Sequence, residues 1–414
     1  RFGARAGLGR VAAPAPFRAM RLSRDPAARR RLAALCAAAA GALVLGIAVG
    51  AGAGGDGPGA EGTGGASGGG EPDTTAAGGE REAARRQAAE RAVDRLSLRR
   101  QVGQLLISSF DGTSVPEYLR RRLRAGETAG VILFGRNSGD AAHWRALTPS
   151  NPEAAGGQAL VMVDQEGGDI RTVAQAGPAA GQASQGAPAA VRTAARDAAR
   201  QLRAAGVNVN LAPVADVAAQ GGASSVMASR AFSGGPDVVA AATRASIRGM
   251  REGGIAATAK HFPGLGRSAV NTDDAPATVP GDLAGDLVPF EAAVEEAVPL
   301  VMLSHALYPA FDASAIASQS HAVTTGLLRE ELGFRGAIVT DSMEAQAVLA
   351  VSGIADAAER TVRAGADLLL MTGSASWNEV QPRLLTEARQ NPSFRERVRE
   401  SATRVLALKR ELLR

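Results

Sequence analysis

The sequence predicts an α/β protein whose body is a closed (β/α)8 barrel of the TIM type. Three observations predict it. From Ser97 onward, eight short apolar runs alternate with amphipathic helix patterns. Residues 97–414 number 318, room for eight such units, which need roughly 250 residues. Polar residues follow many of the runs directly, at the C-terminal strand ends where barrel sites are built. A doubly wound open sheet is the competing arrangement; the clustering of polar groups at strand ends favours the barrel.

The apolar runs are Leu105–Phe110, Gly130–Phe134, Ala159–Val163, Val207–Ala212, Ile255–Ala259, Leu300–Ser304, Ala337–Thr340 and Asp367–Met371. Each is short and is followed by a loop, as buried parallel strands are. The helices between them are expected over Val115–Arg124, Ala189–Ala205, Pro236–Glu252, Asp286–Ala297, Thr324–Leu332 and Ile354–Ala364. Two more, Asn378–Arg389 and Phe394–Arg414, close the chain. One unit is thin: between the second and third runs, Pro149 and Pro152 interrupt the segment, and a truncated or irregular helix is expected there.

The N-terminal part reads differently. Residues 1–31 carry nine Arg and one acid, Asp25, and form a basic tail. Leu32 to Ala53 then run without a charge, long enough as a helix (~1.5 Å per residue) for a ~30 Å hydrocarbon layer. With the basic flank inside, this is expected to be a single-pass membrane anchor with the body outside. Ala51-Gly52-Ala53 also resembles a cleavage site, in which case the body is secreted. Residues 54–79 are a Gly-rich linker that cannot form a core. Residues 80–96 suit a lead-in helix, and residues 97–414 form the barrel domain.

Composition narrows the function. The formal net charge of +5 divides into +8 for residues 1–31 and −3 for the rest, so the body is mildly acidic and no nucleic-acid partner is expected. The single Cys36 excludes an internal disulfide and a Cys-cluster metal site. Acids and histidines are scattered without a ligand-spaced pair, so neither metal nor cofactor is expected. Of 46 basic residues only two are lysines, Lys260 and Lys409. A chain that writes Arg almost everywhere keeps Lys where a compact ammonium is needed.

The strand-end residues are Asp164-Gln165-Glu166-Gly167-Gly168 after the third run, Asp216 and Ser229-Arg230-Ala231-Phe232 after the fourth, and Lys260-His261-Phe262-Pro263-Gly264 after the fifth. Ser304-His305 ends the sixth run and Thr340-Asp341-Ser342-Met343 the seventh. The set holds acids, Arg, Lys and His, and no phosphate-cradling Gly loop of the Walker type.

The strings DQEGG, SRAF, KHFPGLG and TDSM, in this order and spacing, resemble glycoside hydrolase family 3, in particular its single-barrel β-N-acetylhexosaminidase branch, over roughly Leu96 to Leu413. The resemblance implies a carbohydrate substrate and release of terminal β-linked N-acetylglucosamine from cell-wall fragments. It makes Asp341 the nucleophile, and Asp164, Arg230, Lys260 and His261 the residues that hold the terminal sugar. His305 is a further candidate for the pocket, and Glu166 reads as structural.

The chain departs from that pattern twice. The branch places a general acid/base His on the loop after the fifth strand, with an Asp two residues earlier. Here Asp273 and Asn271 stand at those positions, and the four histidines (His143, His261, His305 and His321) lie elsewhere. Asp273 is therefore the expected proton donor, with Asp274, His305 and Glu344 as substitutes. A glycan-binding protein with impaired catalysis is the alternative. The second departure is Asp169, where the branch has Arg directly after DQEGG; Arg171 is the nearest basic residue.

Overall fold

The computed structural model describes residues 74–140, 142–144, 159–219 and 225–412. All of them belong to one compact unit, Pro72–Arg414. The expected basic tail, the membrane anchor and residues 54–73 of the Gly-rich linker lie outside the described residues; residues 74–79, expected to end the linker, instead begin the lead-in helix. Among the described residues, no helix is long and apolar enough to cross a membrane.

Eight parallel strands close into a barrel. They are β1 (Leu106–Ser108), β2 (Gly130–Leu133), β3 (Leu160–Val163), β4 (Val209–Asn210), β5 (Ala256–Phe262), β6 (Leu300–Leu303), β7 (Ala337–Ser342) and β8 (Leu368–Leu370). Neighbours in sequence are neighbours in the sheet, and β8 returns to β1 through Leu106 opposite Leu369. All eight expected runs contain a strand. The expected helices form as well, including Pro188–Ala204, Pro236–Gly253, Ile354–Ala364 and Pro392–Leu412. The lead-in helix spans Thr74–Val93 and packs through Ala89 and Val93 against the C-terminal helix. Between β2 and β3 only a short turn at Gly135–Asn137 and residues 142–144 are described, so the irregular unit expected there lies partly outside the described residues.

Side-chain parity sorts the core. Leu160 and Met162 of β3, Leu300 and Met302 of β6, and Ala337 and Val339 of β7 share one apolar cluster. The alternate residues Val161 and Val163, Val301 and Leu303, and Ile338 join another. Successive strand residues point to opposite faces, so the first set fills the barrel and the second meets the helices. Each fully buried aliphatic side chain contributes about 1.5–3 kcal/mol. Gly130 lets β2 approach β3 closely: a Cβ there would stand 2.1 Å from the Leu160 carbonyl oxygen.

The same parity builds the barrel mouth. Asp164 lies two residues past Met162, and Asp341 two past Val339. Lys260 lies four past Ala256, itself in the interior cluster. Each continues the inward face of its strand after the apolar filling ends. Charged groups from three strands thus converge where the core gives way to solvent.

Candidate active site

A cavity of about 480 Å³ opens at this mouth. Asp164, Arg230, Lys260, His261, Asp273 and Asp341 all line it. Six of the seven residues singled out in the sequence are therefore brought together.

Lys260 is its fixed point. Its ammonium is 2 % exposed and donates to Asp164 Oδ1 at 2.7 Å, with Glu166 Oε1 at 2.6 Å. Burial alone would lower its pKa, but the two carboxylates outweigh it and raise the pKa above the usual lysine value. Glu166 also receives Arg230 through both oxygens, Nη2 to Oε1 at 2.7 Å and Nε to Oε2 at 2.9 Å. Burial pushes the Glu166 carboxyl up, yet Lys260 and Arg230 together bring it down to about 2. Glu166 is thus a fully paired buried anion that positions two cations. Among the described residues, Nη1 of Arg230 has no hydrogen-bond partner, so the guanidinium keeps donors for a ligand.

His261 follows Lys260 in β5, and both line the cavity; the strand's register shifts between Ala259 and Phe262. The His261 ring is fixed from behind by Asp216, which is fully buried. Nδ1 lies 2.7 Å from Asp216 Oδ2, and the backbone N–H groups of His261 and Leu265 donate to Oδ1 at 3.2 and 2.7 Å. The other ring nitrogen, Nε2, lies 3.8 Å from Asp341 Oδ2. In the sequence Asp216 reads as a turn or packing acid at the barrel rim; in the fold it holds this imidazole and the turn after β5. Gly264 makes that turn at φ +133, with no room for a side chain: a Cβ would stand 2.7 Å from Asp286 Cβ.

Asp341 accepts the Ser342 backbone N–H at 2.8 Å. Burial pushes its carboxyl up, but His261, His305, Lys260 and the Ser342 hydrogen bond pull it below the ordinary aspartate value. It is held ionised. Asp273 behaves in the opposite way. Burial, and then the charge of Asp341, push its carboxyl up to about 6, against the opposing pull of His261 and Arg230. Two carboxyls of one cavity are thereby set apart in proton affinity, the arrangement from which acid and nucleophile roles are assigned. The Asp273 loop is anchored. Asn271 Oδ1 accepts the Asp273 N–H at 3.2 Å, and the carbonyls of Thr272 and Asp273 accept Ala347 and Gln346 N–H groups, both at 3.1 Å.

Three expectations change. His305 is completely buried and does not line the cavity. Its Nδ1 lies 2.8 Å from Ser318 Oγ. Burial depresses its pKa, against the opposing pull of the Asp341 charge and of the Asp341 and Ser342 backbone. Glu344 is also removed from consideration as a proton donor. It is absent from the cavity lining and accepts the Thr372 N–H at 2.8 Å, the Thr372 hydroxyl at 2.9 Å and the Ser376 hydroxyl. Finally, Asp169 and Arg171 both line the cavity, so the reversed charge after DQEGG lies at the site itself. Arg171 Nε donates to the Gly168 carbonyl at 2.9 Å, which closes the turn. Among the described residues, no three His, Cys, Asp or Glu side chains are grouped to hold a metal ion.

The chain is 33% identical to a β-N-acetylhexosaminidase structure from Beutenbergia cavernae, with a TM-score of 0.70 over 76% of this chain and 98% of that one. A family 3 β-N-acetylglucosaminidase from a Paenibacillus species is 32% identical, with a TM-score of 0.72 over 76% of this chain. The match spans only 62% of that longer protein. A β-hexosaminidase of Xanthomonas oryzae pv. oryzae is 34% identical over 281 residues, 64% of this chain and 83% of that one. Residues 97–408 match the glycosyl hydrolase family 3 N-terminal domain, and the chain belongs to that family.

Proposed function

We propose that the chain is a retaining β-glycosidase that releases terminal β-linked N-acetylglucosamine from cell-wall glycan fragments. The observation that carries this is the split between Asp341, held below the ordinary carboxylate range, and Asp273, raised to about 6, in one cavity. Asp341 attacks the anomeric carbon and forms a glycosyl ester. Asp273 gives its proton to the departing oxygen. Esterification removes the Asp341 charge, the second cause of the raised Asp273 pKa. Asp273 then falls toward the ordinary aspartate value and is ready to take a proton from the incoming water. Lys260, Asp164 and Arg230 hold the sugar's hydroxyls, and Asp216 keeps His261 facing the reacting centre.

The β-hexosaminidases and β-N-acetylglucosaminidase named above support the choice of sugar. A panel of nitrophenyl glycosides tests it. The N-acetylglucosaminide should turn over faster than the glucoside and xyloside. Turnover of none would shift the reading to a glycan-binding protein, which the replacement of the family's loop histidine by Asp273 keeps in view.

We also propose that the barrel is exported and tethered. The Arg-rich residues 1–31, the uncharged Leu32–Ala53 run and the Gly-rich 54–79 spacer support this. Removing residues 1–53 should release activity from the membrane fraction; activity that still sediments would refute tethering.

A further inference from the structure

The loop that carries Asp273 continues into Pro276, Ala277 and Thr278, which form one wall of a second cavity of about 680 Å³. That volume lies in the usual range for small-molecule sites, roughly 300–1,000 Å³. The antiparallel ribbon ending at Ile316 supplies another wall, and the segment after β7, including Ala347, Ala350 and Val351, a third. Val351 is 48% exposed, an uncovered apolar group at the rim.

Its polar groups are all donors or neutral. Arg360, Arg363, His321, Gln319 and Ser314 line it, and no Asp or Glu does. Arg363 is committed to Glu359 and Glu387. Arg360, by contrast, has no ion pair or hydrogen bond among the described residues. The side-chain nitrogen of Gln319, Nε2, is buried without a partner. The nearby Asp312 is occupied by the hydroxyls of Ser314 and Ser320, both at 2.6 Å. An apolar cavity with one free guanidinium, one unsatisfied amide donor and no acid on its walls is complementary to a small amphipathic anion.

We propose that this cavity is a second binding site, for a carboxylate carried on a short aliphatic body. The carboxylate pairs with Arg360, whose planar fork suits it, and accepts from Gln319 Nε2. The aliphatic part covers Ile316, Ala350 and Val351. An occupant rests on the same segment whose Gln346 and Ala347 N–H groups hold the Asp273 loop. Acyl carboxylates and peptide C-termini share this chemistry. The site stands apart from the proposed glycosidase activity, because it is read by binding and not by turnover.

Titration calorimetry on the full chain tests it with hexanoate and N-acetyl-alanyl-alanine, each against its neutral counterpart, hexanol and the dipeptide amide. At least one carboxylate should bind at millimolar concentration or below, and the better binder identifies the source. Its neutral counterpart should bind roughly tenfold more weakly. Arg360→Gln and Gln319→Leu should each weaken the carboxylate by a similar factor. Arg360→Gln should hydrolyse a nitrophenyl glycoside at the wild-type rate, which shows that the fold is intact. Binding by neither carboxylate, equal binding by the neutral probes, or full affinity in Arg360→Gln would each overturn the proposal.

Discussion

The chain's two lysines are both buried, yet they stand in opposite surroundings. Lys260, at the end of β5, has two carboxylates within 2.7 Å and a raised pKa. Lys409, in the C-terminal helix, has one partner, the neutral Gln104 side-chain oxygen at 2.8 Å, and burial lowers its pKa to about 7. The burial is the same, so the partners decide the charge. At the mouth, paired ions make a polar surface that can meet a ligand. Beside the residue that leads into β1, an amine sits among apolar side chains such as Val405 and Leu408 with little to hold its proton.

The largest effect is expected where the mouth performs chemistry. Asp341→Asn should lower turnover of aryl glycosides by at least roughly 10⁴-fold while substrate affinity and circular dichroism stay near wild type. Retained turnover would show that the charge set assembled around Lys260 serves binding alone.

Asp273→Ala comes next, at roughly 10²–10⁴-fold on glycosides with poor leaving groups and far less on an activated aryl glycoside. Equal losses on both would remove Asp273 as the acid. The reaction needs Asp273 protonated and Asp341 ionised. In wild type, kcat/KM should therefore fall as pH rises through about 6, and fall again only below the ordinary aspartate range, where Asp341 gains a proton. The upper limb should disappear in Asp273→Ala with the activated substrate.

Lys260→Met leaves the buried Glu166 with Arg230 alone and the half-buried Asp164 without its cation. Breaking such a buried pair costs about 3–5 kcal/mol, measurable by urea unfolding. Lys260→Arg keeps the charge and separates size from charge. It should fold but bind glycan poorly, because the space between Asp164 and Glu166 fits an ammonium. Wild-type affinity would reduce that lysine to an accident of composition.

How much of this was legible in the sequence follows from what each residue depends on. All eight strands were, because a barrel strand buried on both faces reads as an unbroken apolar run. Asp164, Lys260, His261 and Asp341 were, because strand ends in a closed barrel share one mouth; Arg230 and Asp273 lie on loops and were reached through the resemblance to the family. His305 was misplaced: adjacency to a strand end does not fix where a side chain goes, and its partner Ser318 lies on a later segment. Asp216 and the depth of Glu166's pairing were hidden, since their partners lie 45 and 64 residues away in the chain. The burial of Lys409 was hidden too. A lysine on a helix ordinarily extends its head to water, and nothing local reveals that the C-terminal helix turns this one toward Gln104.

Lys409→Met gives the smallest effect and the opposite sign to Lys260→Met. Lys409's pKa is about 7 in the folded chain and about 10.4 unfolded. Between those values the unfolded chain binds more protons, so this group makes stability rise with pH. Its penalty is full below about 7 and gone above about 10.4. Methionine removes the ammonium, fills a similar volume and leaves only the Gln104 oxygen without its donor. Near neutral pH the variant should therefore be more stable than wild type, by roughly 1–4 kcal/mol, and the gain should vanish near pH 10. Lys260 contributes the other way: its raised pKa keeps its stabilisation intact below about 10.4, and that stabilisation is lost only as pH rises through the folded value. Thermal unfolding of both Met variants across this range separates the two. A Lys409→Met variant less stable than wild type at neutral pH would mean that the Gln104 hydrogen bond outweighs the cost of burying the charge.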